Sequence, residues 1–357
     1  MAVRILHPTA ARDAGPLTRW LADARSRNAE RLARRFDTAG ATDIEIVSGP
    51  PDDMPFGARL RALLDGIRGS AGLVILGSGA IPLARPIDVE GLVATAGSGE
   101  HRALANNYYS ADVVAVGHTD ALRDIPDLSG DNSLPRWLEE VAGFAVTDLR
   151  HRWRLSVDLD SPQDALLVDS STAPPGLDVT VFRDRLSRVR SVAADSRGEL
   201  VVAGRTSGRT LQWLEHRTAA RTRSIIEERG LRASSPAAGG RRGGGPGGGG
   251  ARRPPRSIIG MLLDERGPEA LGSILAELGD AAIVDTRVLL AHRLGADEAA
   301  WPIAEDRFAS DLLLPDRIAD PWLRAITTSA VDASSPVLLG GHSLVGPGVR
   351  FVLGRRR

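Results

Sequence analysis

The chain contains neither cysteine nor lysine. The first absence excludes disulfides, thiolate nucleophiles and cysteine-ligated zinc. The second excludes a Schiff-base lysine, a P-loop lysine and the lysine of a protein kinase. All 45 basic side chains are arginine, so a phosphate would be received by guanidinium forks and backbone N–H groups. Aromatic residues make up only 4% of the chain, and the formal net charge is zero. A zero balance gives no broad field for nucleic acid or a membrane surface, and neither is expected as a partner. The first residues hold no signal-peptide core and no apolar run approaches a membrane span, so a cytoplasmic protein is expected.

What the chain does have is length and alternation. Its 357 residues are long for one core and fit two domains. Val3 to Pro8 reads as a strand, and Pro16 to Ala39 as an amphipathic helix with a polar interruption at Ser26-Arg27-Asn28. Gly40 suits the C-cap, Asp43 to Val47 is a strand, and Phe56 to Ile67 a second helix. Leu73-Val74-Ile75-Leu76 is a strand buried on both faces. The Gly77-Ser78-Gly79 that follows permits close backbone approach by a ligand, or is a tight turn only. Asp88 to Ala96 reads as a helix and Val113 to Val116 as a core strand. Before that strand stand Asn106, Asn107 and Asp112, with both tyrosines of the chain, Tyr108 and Tyr109. Asparagine amides match a base or sugar edge and tyrosine can stack, while an Asx-turn with two half-buried rings accounts for the same residues. Ser133 and Pro135 open a helix that Gly143 closes. The alternation predicts a three-layer α/β domain with a mostly parallel sheet over residues 1–172.

The polar stretch with most chemistry is Val157-Asp158-Leu159-Asp160-Ser161-Pro162-Gln163-Asp164. It follows Arg154-Leu155-Ser156, and the spacing predicts a short buried strand over Leu155–Asp158 running into a helix that Ser161-Pro162 opens. Asp164 then falls in the first helical turn, where a carboxylate suits the helix dipole. Three carboxylates around one strand end suit a ligand site, and hard oxygen ligands suit Mg²⁺ or Mn²⁺. An ordinary capped strand-to-helix turn is the plainer reading of the same octet.

This D-x-D-S-P-x-D octet resembles the closing motif of the MobA-like nucleotidyltransferases, a GT-A-type group that includes molybdenum-cofactor and 2-phospholactate guanylyltransferases. Leu73-Val74-Ile75-Leu76 followed by Ile81-Pro82-Leu83 is similar to the family's strand and its D-x-P-L turn. The resemblance covers roughly the first 170 residues. It implies a nucleotide-binding α/β domain in which Asp158 helps hold a metal against the phosphates. Asp158 and Asp160 are then the candidate catalytic residues, and Ser78, Gly79, Asn106, Asn107 and Asp112 the candidate nucleotide contacts. The chain departs from the pattern at two places. Ala80 stands where the family has aspartate, and no glycine-rich L-x-G-G-x-x-x-R loop follows the first strand. Asp160, Asp112 and Asp88 are the carboxylates available to replace the one missing at position 80.

A second α/β domain is expected over 173–357, behind the boundary Ser170 to Pro175. Asp184 to Ala194 reads as a helix and Glu199 to Ala203 as a buried strand. The turn Gly204-Arg205-Thr206-Ser207-Gly208-Arg209 leads into a helix from Leu211 to about Arg229, a geometry that suits a phosphate or carboxylate, or a plain βα turn. Residues 233–256 are rich in Gly, Arg and Pro and cannot build a core, so a disordered insertion is expected, and its deletion over 236–253 is expected to leave folding nearly unchanged. Further on, Asp285 and Arg287 close a strand, Glu305, Asp306, Arg307 and Asp311 are placed around a loop, and Gly340-Gly341-His342-Ser343 follows an apolar run. These groups are expected to meet at one sheet edge, with His342 as an acid or base. A β-turn with an exposed histidine is the alternative.

Three functions fit these residues. The first is metal-assisted transfer of a nucleotidyl group to a phosphorylated or acidic small molecule, with Mg²⁺ or Mn²⁺ at Asp158. The second is a non-catalytic protein that binds a nucleotide or phosphometabolite. The third places the chemistry in residues 173–357.

Overall fold

The computed structural model describes residues 1–67, 71–128, 130–228 and 255–354. Most of the Gly/Arg/Pro-rich segment expected at 233–256 lies outside the described residues. Contacts group the described chain into two compact units: residues 1–12 with 22–159, and residues 13–21 with 160–228 and 255–354. The contact boundary falls between Leu159 and Asp160, inside the acidic octet.

In chain order the elements of the first unit are β1 (Ala2–Pro8), α1 (Pro16–Thr38, of which residues 16–21 group with the second unit), β2 (Asp43–Gly49), α2 (Phe56–Leu64), β3 (Leu73–Gly77), α3 (Pro86–Ala96), β4 (Arg102–Ala105), β5 (Val113–Val116), α4 (Leu134–Glu140) and β6 (Ala145–Asp148). They form one six-stranded sheet in the order β2-β1-β3-β5-β4-β6. Every neighbouring pair is parallel except those made by β5, which runs against β3 and β4. Helices cover both faces. Val3, Ile5, Val74 and Leu76 pack with Leu32 and Phe36 of α1 and Leu92 of α3. The alternate residues Leu73, Ile75, Val114 and Val116 pack with Leu60 and Leu64 of α2 and Trp137 of α4. Strands buried on two faces explain the unbroken apolar runs, and each such side chain contributes about 1.5–3 kcal/mol of burial.

Helix α1 is continuous through Ser26-Arg27-Asn28. Asn28 turns its amide inward, where Nδ2 donates to the carbonyls of Ser78 (2.8 Å) and Ala80 (3.0 Å). The expected third central strand is corrected. Trp153–Ser156 is a 3-10 turn, and Asp158 makes only an isolated antiparallel bridge to Ala80. Ile81, with φ 44°, turns the partner segment out of extended geometry, so no ladder extends.

The second unit holds α5 (Pro162–Val168), α6 (Thr180–Ala194), β7 (Glu199–Gly204), α7 (Gly208–Arg217), β8 (Arg221–Ile226), α8 (Ile258–Arg266), α9 (Leu271–Leu278), β9 (Ala281–Asp285), α10 (Thr286–Leu294), α11 (Ala304–Asp311), α12 (Pro321–Asp332), β10 (Val337–Gly340) and α13 (His342–Val345). Its sheet is wholly parallel in the order β10-β9-β7-β8. The helix expected from Leu211 to about Arg229 ends at Arg217 instead. Thr218 closes it by donating from Oγ1 to the Leu214 carbonyl at 2.8 Å, and the β-branched residues Thr222, Ile225 and Ile226 continue as edge strand β8. Glu305 to Asp311 also differ from expectation: they lie on α11, not around a loop, because Phe308 and Ala309 are buried with Leu312, four and three residues on. No helix among the described residues is long and apolar enough to cross a membrane.

Candidate functional site

The chain runs from β1 through α1 to β2 on one side, then returns through α2 to β3 on the other side of β1. The crevice outside the carboxyl ends of β1 and β3 is therefore a topological switch point, the place where open α/β sheets hold ligands. A cavity of about 230 Å³ lies there. Its floor is Leu6, Ile75, Leu76 and Gly77, its rim Pro8, Ser78, Gly79 and the entry to β5 at Ala111-Asp112-Val113. Phe56 and Leu134 add apolar wall, and the charged lining groups are Arg25, Asp112 and Asp158.

Each polar group is placed by a specific contact. Ser78 donates its N–H to the Leu6 carbonyl (2.8 Å), and its Oγ stands 3.1 Å from His7 Nδ1. Burial first, and the charge of Arg25 second, hold His7 below the ordinary histidine pKa. Asp158 Oδ1 accepts the Leu159 N–H at 2.8 Å, and that N–H also reaches the Gly79 carbonyl at 3.1 Å. Arg25 donates from Nε to the Leu159 carbonyl at 2.7 Å. A Cβ on Gly79 would lie 2.7 Å from Asp158 Oδ1 and 3.2 Å from Arg25 Nε, so the close approach of these two groups requires glycine. Just beyond, Ile81 is wholly buried with φ 44°, a conformation strained for a β-branched residue by about 1–3 kcal/mol. Asn28 and the Ala80–Asp158 bridge hold the loop that carries it.

Of the sequence candidates, Ser78, Gly79, Asp112 and Asp158 come together in this crevice. Asn106 stands behind it, fully buried. Its Nδ2 donates to Asp112 Oδ2 (2.8 Å) and the Leu155 carbonyl (2.8 Å), and its Oδ1 accepts the N–H groups of Asp112 and Val113. Asn107 makes an Asx-turn, accepting the Tyr109 N–H at 3.0 Å. Tyr108 bonds to Glu139, and the Tyr109 ring lies under Arg136 and Arg150. Asp88 accepts at the N-terminus of α3 and pairs with Arg152. Asp160 belongs to the second unit and is exposed. Arg25, His7 and Asn28 were missed: α1 carries six arginines, and nothing in their spacing marks one of them.

The second unit has its own switch point between β7 and β9, and the candidates there meet as an internal network. Arg205 donates from Nε and Nη2 to Asp285 (2.6 and 3.1 Å), and Arg287 grips Asp311 through both terminal nitrogens. Burial disfavours both charges of the second pair, and the Asp311 carboxylate holds Arg287 protonated. Gly204 has φ 123° and its Cβ would lie 2.2 Å from that of Asp285, so the close approach of the two strand ends demands glycine. Ser207 caps α7 by accepting the Thr210 N–H, with Gly208 and Arg209 in its first turn, and Thr206 is buried beside it. His342 is exposed and donates from Nδ1 to the Arg205 carbonyl at 2.8 Å, while Ser343 is buried. The octet's helix forms as expected, with Ser161 and Asp164 in a capping box.

The segment after β1 is held from the second unit's side. Residues 13–21 group with the second unit, and there Glu305 accepts the N–H groups of Leu17 and Thr18 (both 3.0 Å) and the Thr18 hydroxyl (2.9 Å). A carboxylate of the chain itself thus sits at the N-terminus of α1, a position otherwise suited to an anion. No known family profile, curated protein or solved structure matches the chain.

Proposed function

We propose that the first unit binds a nucleotide or a small phosphorylated metabolite in the crevice above β1 and β3. The observation that carries this reading is the cavity at the topological switch point, lined by Ser78, Gly79, Asp112, Asp158 and the guanidinium of Arg25. Glycine at 79 keeps the rim free of a side chain, and Arg25, Asp112 and Asp158 give the crevice charges of both signs. The test is calorimetric titration of the full chain with GMP, GTP, CMP, ATP and inorganic phosphate, with Mg²⁺ and with EDTA. Absence of binding by every one of them at millimolar concentration sinks the proposal.

A second reading, nucleotidyl transfer, draws on the Ala80–Asp158 bridge, which sets Asp158 across from the position where the resembling family carries its other aspartate. There an acceptor oxygen attacks the α-phosphorus and pyrophosphate leaves. The Mg²⁺ or Mn²⁺ that this resemblance implies does not fit the donor set. Position 80 is alanine, Asp158 Oδ1 accepts a backbone N–H, and no group of three His, Asp or Glu able to hold a metal occurs among the described residues. No step through a metal is therefore derived. Release of pyrophosphate from a nucleoside triphosphate with a phosphorylated acceptor would favour transfer over binding alone.

A further inference from the structure

We infer that Gly77 holds open an apolar slot at the inner end of the β1/β3 crevice, and that this slot takes a compact hydrocarbon group of the ligand, one ring or a short branched chain in size. The inference rests on the reading of this crevice as a ligand site, and not on its charged rim. Side chains alternate along β3: Leu73 and Ile75 face α2 and α4, so a side chain at 77 would project the same way. A Cβ built on Gly77 meets nothing within 4 Å, and Gly77 lines the cavity. The open space above this glycine is therefore the cavity itself. Its inner walls are Leu6, Ile75, Val114, Phe56 and Leu134, which belong to or pack on the apolar cluster between the sheet and those two helices. Phe56 is placed by its neighbour. Gly57 donates its N–H to the Leu128 carbonyl at 3.2 Å, and a Cβ on Gly57 would run into the Pro126 carbonyl.

The backbone does not require glycine at 77. Its φ is not left-handed, no neighbour among the described residues crowds it, and a strand favours a β-branched residue there. Gly79 is the contrast, since a Cβ there runs into Asp158. Glycine in a strand is unfavourable in backbone entropy, and empty apolar space forfeits packing. A position that carries both penalties without a structural need calls for an occupant. The volume limits its size. About 230 Å³ exceeds the roughly 150 Å³ in which an apolar cavity holds benzene, and falls short of the roughly 300–1,000 Å³ of drug-sized sites. The walls limit its chemistry. Five apolar side chains offer no partner to a ring nitrogen or a hydroxyl, so the group inside is hydrocarbon and the polar part of the ligand stays at the rim.

The experiment is calorimetric titration of the full chain with benzyl alcohol, isobutyl alcohol, isopentyl alcohol, glycerol and GMP, on wild type, Gly77→Ala and Gly77→Val. Wild type is expected to bind the three apolar alcohols in preference to glycerol, isopentyl about fourfold tighter than isobutyl, the effect of one more buried methylene. Gly77→Val fills the slot and should weaken binding of the apolar alcohols by about tenfold or more, and Gly77→Ala by less. The melting temperature of Gly77→Val should be unchanged or higher, because the added side chain enters open space on a strand. Wild type that binds glycerol as well as the apolar alcohols, a folded Gly77→Val that binds them like wild type, or a Gly77→Val that does not fold overturns the slot. Binding of GMP without any apolar alcohol overturns the slot and leaves the ligand site standing. Binding of the apolar alcohols, lost in Gly77→Val, without binding of GMP upholds the slot and counts against a nucleotide as the ligand. No binding of any probe overturns both.

Discussion

Gly79 is the residue on which the crevice geometry turns. A methyl group there would press on Asp158 Oδ1 at 2.7 Å and on the Leu159 carbonyl at 3.1 Å, both part of the chain that carries the charged lining. Gly79→Ala is expected to destabilise the protein by about 1–3 kcal/mol, the scale of an overpacked site, and to weaken ligand binding further. Melting and titration on one preparation read both effects, and unchanged values would mean the 158–159 segment is free to shift. Asp164 gives a pH-dependent counterpart. Burial, reinforced by Asp160, pushes its carboxyl up from 3.8 to about 7, against hydrogen bonds from Ser161. The folded state then holds a proton that the unfolded chain releases, so stability falls as pH rises from about 4 to about 7. The stability of wild type relative to Asp164→Asn should fall by a few kcal/mol across that window. A difference flat with pH would place the folded carboxyl near its ordinary value. At this scale the sequence was informative wherever chemistry is scarce. Ser78, Gly79, Asp112 and Asp158 are small or acidic residues at apolar strand ends and stand out. Arg25 does not, because in a chain whose only basic side chain of high pKa is arginine, an arginine lining a crevice has the same letter as a solvating one.

Elements carry the next layer of the argument. Strand β5 is the reversed member of its sheet, and Asn106 pins its entry by accepting the N–H groups of Asp112 and Val113 while donating to Asp112. Asn106→Ala leaves two N–H groups without that acceptor and is expected to cost about 1–3 kcal/mol. Because the same contacts orient Asp112, ligand affinity should fall with it, while Asn107→Ala, which loses only a turn contact, should change affinity little. Equal effects from the two substitutions would remove Asn106 from the site's support. In the second unit, Arg287→Met strands the buried carboxylate of Asp311 and should destabilise by about 3–5 kcal/mol, measurable by urea denaturation. Arg287→Met with Asp311→Leu should recover much of that loss, since an apolar pair of similar volume often matches a buried ion pair. Apolar runs made β3, β5, β7 and β9 legible as strands. The reversal of β5 was not, since direction depends on where the chain returns and not on its side chains. Strand β8 was hidden because an edge strand with alternating arginines, Arg221 and Arg223, reads equally well as the polar face of a helix.

At the scale of the whole molecule, each of the two described sheets has a switch point, and they differ in whether a cavity opens above it. Above β7 and β9 two buried pairs already occupy the strand ends: Arg205 with Asp285, and Arg287 with Asp311. Buried charges removed from their partners would be strongly penalised, so an incoming phosphate there would have to break a pair before making one. Above β1 and β3 a cavity is open and its charged groups line it. Ligand protection in hydrogen exchange should therefore concentrate in one unit. With saturating GMP, amides of residues 76–80, 111–113 and 158–159 are expected to slow, because ordering of the loop suppresses its local opening. Amides of 204–210, 285–287 and 340–343 should exchange at unchanged rates. Protection confined to the second set would move the ligand site to the β7/β9 edge and make Arg205 give up Asp285 on binding. In that case Arg205→Gln would abolish the protection.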